Sequence, residues 1–151
     1  MRAWTRLTFR VWLALIGVGA FALRAGYTLW QRGNDAPTGD AVYFYGQARA
    51  VGDGVGFIDP ILLQAFDLKL QAAHHPPLYV VYLAFMSKIV GTSPQSLRLA
   101  SCLLGAAMVV VVGLVGRRVA GERAGLLAAA GAAPYPHLWA HHPLPLSQPS
   151  P

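Results

Sequence analysis

Apolar runs in this chain are separated by short basic punctuation. Residues 11–23 are apolar, with Arg10 before them and Arg24 after. Thirteen residues fall short of the roughly 20 that a helix needs to cross a bilayer. Residues 7–9 and 25–27 make up the length, provided that Arg10 and Arg24 snorkel or find partners. We therefore predict an uncleaved span over about 7–27. A signal peptide is the competing reading, since Ala20-Phe21-Ala22 mimics a cleavage box, but Arg24 would follow that cut almost at once. Residues 99–116 are uncharged between Arg98 and Arg117 and predict a second span over about 97–116. Gly105, Ala106, Ala107, Gly113 and Gly116 give that helix small residues suited to close packing in lipid. A third apolar helix is predicted over about 124–140, although it meets Pro134 and Pro136. Residues 78–90 are apolar and aromatic but short, and Gly91-Thr92-Ser93-Pro94 ends them. They predict a short tilted or re-entrant helix.

Between the first span and this short helix lies a polar connection, residues 28–77. It carries Asp35, Asp40, Asp53, Asp59 and Asp67, against Arg32, Arg49 and Lys69. Gly39-Asp40 can start, and Gly52-Asp53-Gly54 can stop, a short amphipathic helix over 40–51, which would lie flat on the membrane surface. The positive-inside rule puts Arg2, Arg6, Arg10, Arg117, Arg118 and Arg123 in the cytoplasm. All of these agree if 78–90 does not cross, and the acidic loop is then outside. The predicted class is an all-α, polytopic membrane helix bundle of three to four membrane segments, with an extracytoplasmic loop carrying a short amphipathic helix. The predicted location is the inner cell membrane, multi-pass, with the N-terminus cytoplasmic.

Composition agrees with this pattern. The chain has 151 residues, 55% of them hydrophobic and 12% charged, with a mean hydropathy of +0.44. Soluble domains average about 25% charged residues, so an ordinary cytosolic globule and a disordered tail are both excluded. The net charge of +6 comes from arginines beside the apolar runs. No basic stripe is interleaved with aromatics, so no nucleic-acid partner is expected. The single cysteine, Cys102, lies in an apolar run and offers neither an intramolecular disulfide nor a cysteine-based zinc site. Gly52-Asp53-Gly54-Val55-Gly56 is a turn, not a phosphate-cradling loop.

A set of short motifs follows in order. Gly39-Asp40-Ala41-Val42-Tyr43-Phe44-Tyr45 comes after the first span, then His75-Pro76-Pro77-Leu78-Tyr79, Ser96-Leu97-Arg98-Leu99-Ala100-Ser101 and Gly116-Arg117-Arg118-Val119-Ala120-Gly121. In order and spacing they resemble the N-terminal part of the polytopic GT-C glycosyltransferases, in particular the protein O-mannosyltransferase and aminoarabinose-transferase-like group. The resemblance implies a bundle of about a dozen spans, a polyprenyl-phosphate sugar donor and a reaction on the extracytoplasmic face. It also implies an active-site carboxylate in the first outer loop, which falls on Asp40 by motif position. Two features depart from that pattern. The second outer carboxylate is absent, since Glu122 is the last acid, and the chain is short.

Each candidate side chain has a functional and a structural reading. Asp40 can take a proton from an acceptor oxygen, or hold a divalent metal ion that screens phosphate. It can equally cap a helix. Arg24 and Arg98 can offer a fork to a departing lipid phosphate, or snorkel at the interface. His75 can contact donor or acceptor, or sit in a loop before a proline-initiated helix; His74 points elsewhere on most backbones. Tyr43, with Tyr45 and Tyr79, can line a sugar or headgroup site, or belong to an interfacial aromatic belt. His137, His141 and His142 lie among prolines without nearby carboxylates, and no metal site is expected from them.

The leading expectation is therefore the N-terminal portion of a membrane glycosyltransferase, truncated or frameshifted and inactive by itself. It would use a polyprenyl-phosphate-linked sugar, with Asp40 as base or metal-linked acid and Arg24, Tyr43, His75 and Arg98 on the substrate. The alternative is a small non-enzymatic membrane protein, an assembly or regulatory subunit that packs against partner membrane helices. Membrane lipids are partners in both.

Overall fold

The computed structural model describes residues 2–32, 39–72 and 75–135, with side chains from residue 8 onward and without those of 31 and 32. Among them the structure is helical: α1 (Arg2–Arg32), α2 (Asp40–Gly52), α3 (Pro60–Phe66), α4 (Pro77–Val90), α5 (Pro94–Ala120) and α6 (Glu122–Ala132). The one extended pairing is an isolated antiparallel bridge between Ile58 and Gln71. The fold class is all-α, with helices suited to a membrane bundle. Two are long and apolar enough to cross a bilayer, over Thr8–Trp30 and Pro94–Ala120, with mean hydropathies of 1.4 and 2.4. The helices α1 and α5 that carry them run on past Arg24 and Arg117, because an arginine does not stop a helix. α4, with 14 residues, is about 21 Å long at 1.5 Å per residue and is shorter than a hydrocarbon core of about 30 Å. α6 occupies 122–132 of the region where a third span was expected; residues 136–140 lie outside the described residues.

The chain divides into two compact units, one of 1–26 and 102–151, the other of 27–101. In the first, Phe9, Leu13, Ala20, Val109 and Ala129 form the core, with Ile16, Val110 and Leu126 packed against them. Glycine lets these helices approach. A Cβ at Gly113 would strike the Leu13 side chain, and one at Gly125 would come within 2.5 Å of the Gly113 carbonyl and 2.8 Å of the Arg117 nitrogen. Between α5 and α6 the chain turns at Gly121, whose φ of 91° suits glycine. There Arg117 lies 4.5 Å over the Phe9 ring, and its Nη2 donates to Glu122 at 2.9 Å. Val11, Trp12, Leu15 and Val18 on α1, with Leu103, Met108, Val111 and Leu114 on α5, stay exposed. Such large apolar surface suits lipid far better than water.

The second unit is held differently. Its core is Ala48, Val80, Leu83, Ala84 and Leu97, ringed by Phe44, Tyr45, Val51, Phe57, Tyr79 and Tyr82. The inner face of α2 is covered by α4. α3 begins with the Asp59 side chain accepting from the Ile61 and Leu62 backbone nitrogens, with Pro60 fixing the first turn. Gly46 lets α2 approach α3, since a Cβ there would lie 2.6 Å from Pro60 Cβ. Two phenols join α4 to the start of α5: the Tyr79 hydroxyl meets Ser101 Oγ at 2.7 Å, and the Tyr82 hydroxyl donates to the Ala100 carbonyl at 2.6 Å. Burial, and secondarily Tyr79, raise the Tyr82 phenol above its ordinary pKa, which keeps it a donor.

Candidate functional site

Asp40 is the first residue of α2, and the N-cap position belongs to Gly39, with no side-chain cap bond. This corrects the capping alternative: the Asp40 carboxylate is not consumed by its own helix terminus. Asp40, Tyr43 and Phe44 stand at i, i+3 and i+4, the spacing that puts them on one helix face. His75, just before α4, lies against that face. Its Nε2 is 3.8 Å from Asp40 Oδ1. Its ring stacks on Tyr43, with centroids 4.6 Å apart and planes at 29°, and meets Phe44 edge-on at 4.5 Å. Phe44 in turn meets Tyr79 edge-on at 4.9 Å. The fold thus brings together three of the five residues picked from the sequence.

Exposure is uneven across this group. The Asp40 side chain is 86% exposed and that of His75 only 21%, so the imidazole is held by rings while the carboxylate faces outward. A gap of 3.8 Å is too long for a direct hydrogen bond. It is an ion-pair distance when the imidazole is protonated. A third polar atom, such as an acceptor hydroxyl, can sit within hydrogen-bond reach of both groups. Buried His75 Nδ1 has no hydrogen-bond partner among the described residues. Among those residues no group of three or more His, Cys, Asp or Glu side chains could hold a metal ion. Asp40 and His75 are two donors, one short of the three protein ligands typical of a catalytic zinc site.

The two arginines are placed differently. Arg98 is buried in the same unit as Asp40, on the first turns of α5. Arg24 belongs to the other unit and is also buried. Its Nη1 donates to the Ala20 carbonyl at 3.1 Å, one turn back along its own helix. A Cβ at Gly105 would lie 3.2 Å from its Nε. Arg24 Nε and Nη2 lack hydrogen-bond partners among the described residues. His74, His137, His141 and His142 lie outside those residues.

Two contributors escaped the sequence reading, Phe44 and Gln47. Gln47 is fully buried, and its Nε2 donates to the Ala72 carbonyl at 2.8 Å and the Ile58 carbonyl at 3.3 Å. The available signal was the stripe Asp40, Tyr43, Phe44, Gln47, which follows the helical period.

No curated protein and no solved structure matches the chain. Residues 74–141 match the dolichyl-phosphate-mannose-protein mannosyltransferase family. That stretch includes His75 and Arg98 and leaves Arg24, Asp40 and Tyr43 outside it. The match covers somewhat under half of the chain and supports a general likeness to membrane-associated glycosyltransferases of the mannosyltransferase kind.

Proposed function

We propose that this chain contributes the first spans and outer loop of a membrane glycosyltransferase that moves a sugar from a polyprenyl-phosphate donor to an acceptor outside the cytoplasm. The observation that carries the reading is the Asp40–His75 pair, set on an aromatic bed and open on the carboxylate side. The acceptor oxygen attacks the anomeric carbon, and the bond from that carbon to the phosphate oxygen breaks with its electron pair leaving on the phosphate. The acceptor proton passes to Asp40. His75 orients the acceptor against the carboxylate, and Tyr43, buried beneath it, supports the imidazole. Arg98 supplies fixed positive charge toward the departing phosphate. In this reading the N-terminus is cytoplasmic, the 28–77 loop is outside, and the location is the inner cell membrane.

The test uses membranes containing the full-length product and labelled polyprenyl-phosphate-mannose as the donor probe. Transfer to endogenous acceptors should fall by about 100-fold or more in Asp40→Asn, the scale of general-base loss. Asp40→Asn membranes that transfer at the wild-type rate would overturn the assignment. They would favour a non-enzymatic subunit that packs against partner helices.

A further inference from the structure

Gln47 is a fully buried amide in the middle of α2, and its Nε2 carries its hydrogen bonds, while its Oε1 has no hydrogen-bond partner among the described residues. The bonds it makes are unusual in their targets. Two of them leave its own helix and reach 11 and 25 residues along the chain, to Ile58 and Ala72. Those two positions lie on the paired segments joined by the Ile58–Gln71 bridge. Backbone bonds from Asp59 to the Leu70 carbonyl and from Ala72 to the Phe57 carbonyl complete the pairing. Both backbone groups of Ala72 are therefore engaged, its N–H by Phe57 and its carbonyl by Gln47. Three residues later comes His75, and immediately after it Pro76 and Pro77 lead into α4. The same Gln47 nitrogen approaches the Tyr43 hydroxyl at 3.5 Å, and Tyr43 is the ring on which His75 stacks.

We propose that Gln47 is the positioning residue of this site, its amide anchored on the Ala72 carbonyl and bracing the Tyr43 ring on which His75 stacks, so that the imidazole is held against Asp40. The catalytic consequence rests on the function proposed above; the geometric claim does not. Gln47 touches no substrate in this scheme and acts through His75. A residue that merely stabilised the fold would lower the amount of protein without altering the chemistry of one imidazole.

The experiment uses membranes containing the full-length protein as wild type and Gln47→Met, which keeps the side-chain length and removes the donors. Two quantities are read: the rate at which diethylpyrocarbonate modifies His75, followed by peptide mass spectrometry, and the kcat and KM of transfer from polyprenyl-phosphate-mannose. The expected result is a several-fold faster modification of His75. With it, kcat should fall about tenfold while KM for the donor changes little, as for a group displaced from its working geometry. If Gln47→Met fails to accumulate, Gln47→Asn, which keeps the amide but shortens its reach, is read in the same way. Unchanged labelling together with unchanged kcat would overturn the proposal. Faster labelling with unchanged kcat would uphold the positioning of His75 and remove His75 from the reaction. Loss of transfer in Gln47→Met beside full transfer in Asp40→Asn would sink the proposed function while leaving the labelling result to decide the role of Gln47.

Discussion

The two units of this chain solve the packing problem in opposite ways. The first removes side chains: Gly113, Gly116 and Gly125 let α5 and α6 touch through backbone. The second adds them, filling its core with Leu83, Val80 and a ring of tyrosines and phenylalanines, then tying segments together through Gln47, Tyr79 and Tyr82. Small residues favour close van der Waals contact between helices, whereas apolar burial with hydrogen bonds fixes particular groups in place. The unit that must hold an imidazole beside a carboxylate is the one built from directional contacts.

Three substitutions and one control test this contrast, each followed by the thermal denaturation midpoint of the detergent-purified protein. The largest effect belongs to the side-chain-rich unit. Leu83 is fully buried, and Leu83→Ala should cost about 2–5 kcal/mol through lost contacts and a residual cavity. A loss well under 1 kcal/mol would mean that the aromatic ring, not the aliphatic centre, carries the core. Next comes Gly125→Val, where the added carbons would meet the Gly113 carbonyl and Arg117; overpacking of this kind costs about 1–3 kcal/mol. Its control is Gly131→Ala, where a Cβ meets nothing within 4 Å, so the helix gains about 0.5–1 kcal/mol. Equal effects at the two glycines would break the idea that backbone contact holds the first unit. The smallest effect is Asp59→Ala, which removes the cap of α3 and should cost about 1 kcal/mol. A neutral result there would show that Gly46 against Pro60 is enough to seat that helix.

Much of this was legible along the chain, for identifiable reasons. The limits of α2 could be read because Gly39 and Gly54 adopt positive φ, a constraint that leaves a mark in residue type. The expected spans, about 7–27 and 97–116, lie within the longer helices α1 and α5, since charge sets where a helix leaves lipid but only caps, glycine and proline set where it stops. α3 was not foreseen, because seven residues are too few for a period to show. The meeting of Asp40 with His75 spans 35 positions, and no local pattern encodes it. Nothing local marks Gln47 apart from its place on the α2 stripe; its importance comes from two carbonyls that only the folded loop brings to it.

The covering of α2 by α4 has a consequence for synthesis. α2 is complete once Gly52 has been added, but Leu83 and Ala84, which close over its inner face, come roughly 30 residues later. At about 5–20 residues per second, the partner surface arrives some seconds late. During that interval the nascent α2 carries an uncovered apolar stripe beside the bilayer. Gln47 likewise has no Ala72 carbonyl to hold until the ribosome has moved 25 residues beyond it. Assembly of the site is thus ordered in time by the gene's own direction: the carboxylate first, the imidazole second, and the helix that locks both last.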